Sequence, residues 1–127
     1  MKYLCLVYLD EKKWHEVPDS ECLTYDAAIR KSGHCIASEA LQPVETATTV
    51  RVRSGKVSIT DGPYAETKEQ LGGILMLEAK DLNHAIQLMS EHPGVKAGPF
   101  EIRPAADLNE MIRESELRRL KSNGGSG

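Results

Sequence analysis

Gly-Ile-Leu-Met-Leu-Glu-Ala, residues 73–79, is the stretch on which the fold turns. Side chains along a strand point alternately to opposite faces. Ile74 and Met76 therefore share one face, and Leu75, Leu77 and Ala79 share the other. Such a strand needs cover on both sides. The opening stretch Lys2–Leu9 (KYLCLVYL) has the same character, with Leu4, Leu6 and Tyr8 opposite Tyr3, Cys5, Val7 and Leu9. At about 25 cal/mol per Å² of apolar area, leaving several such side chains wet forgoes several kcal/mol.

The rest of the frame lies around these two strands. Asp19 or Ser20 can cap a helix that runs to about Ser32, where Gly33 stops it. His34–Leu41 reads as a strand ended by Gln42-Pro43. Thr46–Arg53 and Lys56–Thr60 alternate apolar with polar residues and meet at Ser54-Gly55, which predicts a hairpin. Asp81 caps a second helix, with Leu82, Ala85, Ile86 and Met89 at i, i+3, i+4 and i+7 and Pro93-Gly94 at its end. Pro99–Arg103 is a last short strand, Asp107–Lys121 a charge-balanced helix, and Ser122–Gly127 a flexible Gly/Ser tail.

This order predicts an α+β fold over residues 1–105, a ferredoxin-like split βαβ arrangement with an inserted hairpin. Residues 106–127 add the helix and tail. Helices cover one face of such a sheet. The economical cover for the other is a second copy of the chain, so a homodimer is expected.

Composition narrows the partners. At 127 residues the chain fits one domain. Its net charge of −3 argues against nucleic acid, whose binding needs a basic face. Arg51, Arg53 and Lys56 on the hairpin read as a solvated edge. No apolar run approaches the roughly 18 residues of a membrane span, and no signal peptide precedes the first strand, so a cytoplasmic protein is expected. Cys5, Cys22 and Cys35 form no C-x-x-C pair and read as reduced thiols. No zinc, calcium, P-loop or dinucleotide motif is present, and no cofactor is expected. His15, His34, His84 and His92 read as solvated or structural.

The candidate site is DGPYAETKEQLGG, Asp61–Gly73, a turn-bearing polar segment between two strand patterns. Asp61 forms a turn with Gly62-Pro63, or stands at a strand end as a general base. Glu66 is the other candidate base; it shares a face with Glu69 if the segment makes a helical turn. Lys68 can hold an anionic substrate, and Tyr64 adds a hydroxyl. Glu39 on the second strand, expected on the face of Cys35, Ala37 and Leu41, and Glu101 with Arg103 on the last are read with them. If Phe100 and Ile102 pack under the helices, Glu101 and Arg103 face the other way, as an ion pair or a polar cavity floor.

The opening MKYLCLVY, then SEALQP before TATTVRV, DGPYAETKEQLGG, and FEIRPA near the end together resemble the DGPF branch of the YCII-related proteins. The resemblance covers residues 1 to about 105, with Tyr64 where the branch name has Phe. It implies a dimeric α+β barrel. Better-understood relatives include a dehydrochlorinase of a small cyclic acid with a proposed His/Asp pair. The histidine of that pair lies on the first helix, where this chain has Cys22 near the expected place.

The leading expectation is a cofactor-independent enzyme of lyase or isomerase type. Asp61 or Glu66 would take a proton from a small anionic organic molecule held by Lys68 or Arg103. The alternatives are a non-catalytic module binding a small ligand or a protein, linked to transcription regulation, and a cofactor-free monooxygenase by analogy of fold.

Overall fold

The computed structural model describes residues 1–124. Six strands and three α-helices follow in the order β1 (Lys2–Asp10), α1 (Asp19–Lys31), β2 (Cys35–Ala40), β3 (Thr48–Arg53), β4 (Lys56–Asp61), β5 (Glu69–Glu78), α2 (Leu82–Ser90), β6 (Phe100–Pro104) and α3 (Leu108–Gly124). Short 3-10 turns at Glu11–Glu16, Val44–Thr46 and Pro93–Lys96 join them. The fold is α+β.

β2, β5, β1 and β6 form one antiparallel sheet in that order, the strand order of a split βαβ unit. The two strands that are apolar on both faces, β1 and β5, occupy its centre. Tyr3, Cys5, Val7, Leu75 and Leu77 form the core with Ile29 of α1 and Ala85 and Met89 of α2. Leu4, Leu6, Tyr8, Ile74 and Met76 lie on the opposite face, half-buried. Phe100 and Ile102 pack against the core, which leaves Glu101 beside Leu6 and Arg103 beside Leu4 on that outer face.

β3 and β4 pair only with each other. Ser54 (φ 51°) and Gly55 (φ 76°) both take positive φ, the geometry of a tight turn matched to strand twist. α2 begins as its sequence indicates, with the Asp81 carboxylate accepting from His84 N at 2.9 Å.

Several details differ from the sequence reading. β5 starts at Glu69 and takes in the last part of the expected loop. β1 extends to Asp10, whose side chain is buried. A bulge between Cys35 and Ala37 turns Cys35 into the core, opposite Leu77, while Ala37 and Glu39 stay on the outer side. The expected tail is partly helix: residues 122–124 continue α3, and 125–127 lie outside the described residues. Leu108, Met111, Ile112, Leu117 and Leu120 of α3 are all exposed.

Candidate functional site

A cleft of about 230 Å³ opens between α1 and the core face of the sheet. Val7 and Leu9 of β1 and Leu75 of β5 make an apolar floor, and Trp14 and Val17 close one side. Gly73 keeps that floor low, since a Cβ there would sit 3.2 Å from Glu39 O. Cys22 and Asp26, one helical turn apart on α1, supply polar groups from above, with Ser38 from β2 and His92 from the turn after α2.

The polar groups are held in place. Asp26 Oδ2 accepts from Arg30 Nε at 3.1 Å and from Ser38 Oγ at 3.0 Å. Arg30 also donates to the Ser38 carbonyl at 3.0 Å, which ties α1 to β2. Asp26 Oδ1 has no hydrogen-bond partner among the described residues.

His92 is 8 % exposed. It sits edge-on between Tyr25 and Phe100, with ring centroids 5.2 and 5.1 Å away. Burial pushes its pKa down, and the negative charge of Asp26 opposes that in part.

The lowered pKa has a thermodynamic sign. The unfolded chain binds a proton at His92 more readily than the folded one, so this contribution to stability is present above the ordinary histidine value of about 6.5. It is lost as pH falls through that value toward the lower folded pKa. Chemical denaturation at pH 7.5 and 5.5 is expected to show lower stability at the acid pH. The His92→Asn protein, which has no group titrating there, should show a smaller drop.

Cys22 is not set up as a thiolate. Burial raises its pKa, the charges of Asp19 and Glu21 raise it further, and only the Gly94 N–H lowers it.

Apart from Glu39, the residues singled out in the sequence fall elsewhere. Lys68, Glu69 and Glu101 line a hollow of about 640 Å³ with Tyr8, and Glu66 and Lys68 line a second of about 550 Å³ with Asp10. Asp10 joins them although its sequence position gave no sign of it. Its carboxylate accepts from Lys12 N at 3.0 Å and lies 3.9 Å from Lys68 Nζ. Asp61 is exposed at the end of β4, opposite Thr48, and lines neither hollow. Tyr64 is 80 % exposed. Glu66 and Glu69 do not share a helical turn, because Glu69 opens β5. Arg103 is exposed on β6, and Glu39 borders the cleft under α1. The chain thus does not bring Asp61, Glu66, Glu39 and Glu101 to one enclosed space.

His92 and Asp26 are the residues that sequence reasoning passed over. His92 stands beside the helix stop Pro93-Gly94 and reads as solvated or structural, and Asp26 belongs to no motif. Neither has a local signal for its neighbour across the cleft. Among the described residues, no group of three or more His, Cys, Asp or Glu side chains is placed to hold a metal ion. No helix is long and apolar enough to cross a membrane among the same residues.

The model of the YCII-related domain matches residues 1–109. The chain belongs to the YCII-related family. This YCII-related protein is also similar to an uncharacterized protein of Rhizobium meliloti (strain 1021), 30% identical over 115 residues that cover 84% of this chain and 93% of the relative. That relative carries no stated activity.

Proposed function

We propose that this YCII-related protein is a cofactor-independent enzyme of lyase or isomerase type, with its reaction in the cleft under α1. The observation that carries this reading is Asp26. One carboxylate oxygen is fixed by Arg30 and Ser38, and the other is left without a hydrogen-bond partner among the described residues, on the wall of a cleft with an apolar floor. A carboxylate so held takes a proton from a carbon placed against the apolar floor. The cleft is bordered by Asp19, Asp26 and Glu39 and by no lysine or arginine. Its charge favours an uncharged molecule over the anionic one suggested by the polar segment.

Proton abstraction is measurable before any product is known. Incubation in deuterium oxide with a panel of small ketones, esters and acids, followed by NMR, reports exchange at carbon. Asp26→Asn is expected to lower that exchange by roughly 10²–10⁴-fold, the usual contribution of a positioned base. Full exchange by the Asp26→Asn protein would sink this reading, and so would equal loss in Asp61→Asn or Glu66→Gln.

The half-buried row Leu4, Leu6, Tyr8, Ile74 and Met76 supports a second part of the reading. Two copies that pair through these faces form a dimeric α+β barrel, with Glu101 and Arg103 at its inner wall. A binding role without catalysis is the alternative; the exposed apolar residues of α3 favour it, and recovery of a stable protein partner lost on deleting α3 would support it.

A further inference from the structure

We propose that His92 meets the ligand as a neutral imidazole donating from Nε2, so that the cleft takes molecules presenting an oxygen acceptor, such as a carbonyl or a phenol- or enol-type oxygen. This rests on the reading of the cleft as the site and names the chemistry of its ligand.

The turn after α2 fixes the ring. His92 caps the 3-10 turn Pro93–Lys96, and its Nδ1 accepts the Gly94 backbone N–H at 2.9 Å. A ring nitrogen that accepts an N–H carries no proton of its own. In the neutral ring the proton is then on Nε2. Protonating Nδ1 as well would set two donors against each other and leave the Gly94 N–H unpaired in a buried place. Gly94 is held close, since a Cβ on it would lie 3.1 Å from His92 Nδ1 and 3.3 Å from the Phe100 ring. The ring therefore cannot easily turn to offer Nδ1 elsewhere.

Nε2 has no protein partner among the described residues. Among those residues no side-chain nitrogen or oxygen is both sealed from solvent and unpartnered. Nε2 is therefore reached from outside, and the hollow that His92 borders is the cleft. Tyr25 and Phe100, edge-on to the ring, hold its plane. The cleft then pairs one acceptor, the free oxygen of Asp26, with one donor, His92 Nε2–H, above an apolar floor. In a proton abstraction the C–H bond breaks toward Asp26 and its electron pair moves into the adjacent carbonyl. The negative charge that gathers on the carbonyl oxygen is met by the Nε2–H.

Two compounds of nearly equal shape test this, 4-fluorophenol and 4-fluorotoluene, of which only the first has an oxygen. Binding is followed by ¹⁹F NMR and by quenching of Trp14, the only tryptophan, which lines the cleft. The wild-type protein is expected to bind the phenol at least roughly ten-fold more tightly, the scale of one buried hydrogen bond. His92→Asn retains an oxygen near the place of Nδ1 and is a strong cap, so it should melt near the wild-type temperature and still bind 4-fluorotoluene. Its preference for the phenol should vanish. The ¹⁵N shifts of wild-type His92 at pH 7 should show the proton on Nε2 alone.

A proton on Nδ1, or a preference that survives in His92→Asn, overturns the proposal for His92 and leaves the cleft as the site. Equal binding of both compounds by the wild-type protein does the same. Binding of neither overturns the proposal together with the reading of the cleft.

Discussion

Gly98→Ala is expected to destabilise the protein by about 3 kcal/mol, at the upper end of the usual cost of overpacking. A Cβ at this position would lie 2.0 Å from the Tyr8 carbonyl oxygen and 2.9 Å from its carbon. Both are backbone atoms of a central strand, and no rotamer change relieves the contact. The chain must move instead, which strains the hydrogen bond from Tyr8 N to Pro99 O, now 3.0 Å. Gly72→Ala is the control. Its Cβ would meet Leu9 Cδ1 at 2.7 Å, the far end of a flexible side chain, so it should cost less than about 1 kcal/mol. Urea denaturation of both proteins checks the contrast, and similar midpoints would show that the close approach at Gly98 is not a constraint. Gly98 also follows the turn that carries His92, so its displacement should weaken ligand binding in the cleft.

Leu6→Glu is expected to convert the proposed dimer into a monomer. Leu6 lies between Ile74 and Glu101 at the middle of the outer sheet face and is only half-buried within one protomer. A carboxylate there stays hydrated in a single copy. In a sheet-to-sheet dimer it loses water on both sides of the symmetric contact and gains no partner, at several kcal/mol per charge. Sedimentation equilibrium should give the monomer mass of 14.0 kDa for Leu6→Glu and twice that for the wild type. Circular dichroism should stay unchanged. A wild-type monomer at high concentration, or an undisturbed Leu6→Glu dimer, would remove this surface from the interface.

The sequence made the frame legible because the frame is written in local rules. Alternation in Lys2–Leu9 and residues 73–79 marked the two central strands, Asp81 marked the start of α2, and Ser54-Gly55 marked the hairpin. These signals need only neighbours a few residues away. The bulge at Ile36 left no such trace, so the face of Cys35 came out reversed. The cleft was hidden for a similar reason. Asp26 and His92 are 66 positions apart, and only the packing of α1 against the turn after α2 puts them on one cavity wall. The polar segment at Asp61–Gly73 is conspicuous because Asp61, Glu66, Lys68 and Glu69 fall within nine residues. Charges close in sequence are easily seen and commonly solvated, and here Asp61 and Tyr64 stand out in solvent.

β1 has one further consequence. Val7 and Leu9 line the cleft, while Leu6 and Tyr8 face the other way across the same few peptide planes. The wall between the two compartments is a single layer of backbone. A ligand of the proposed cleft that presses on Val7 or Leu9 is expected to shift the rows that would touch a second copy, and a second copy that grips Leu6 is expected to stiffen the cleft floor. Ligand affinity and affinity between copies, measured on the same sample, are expected to change together.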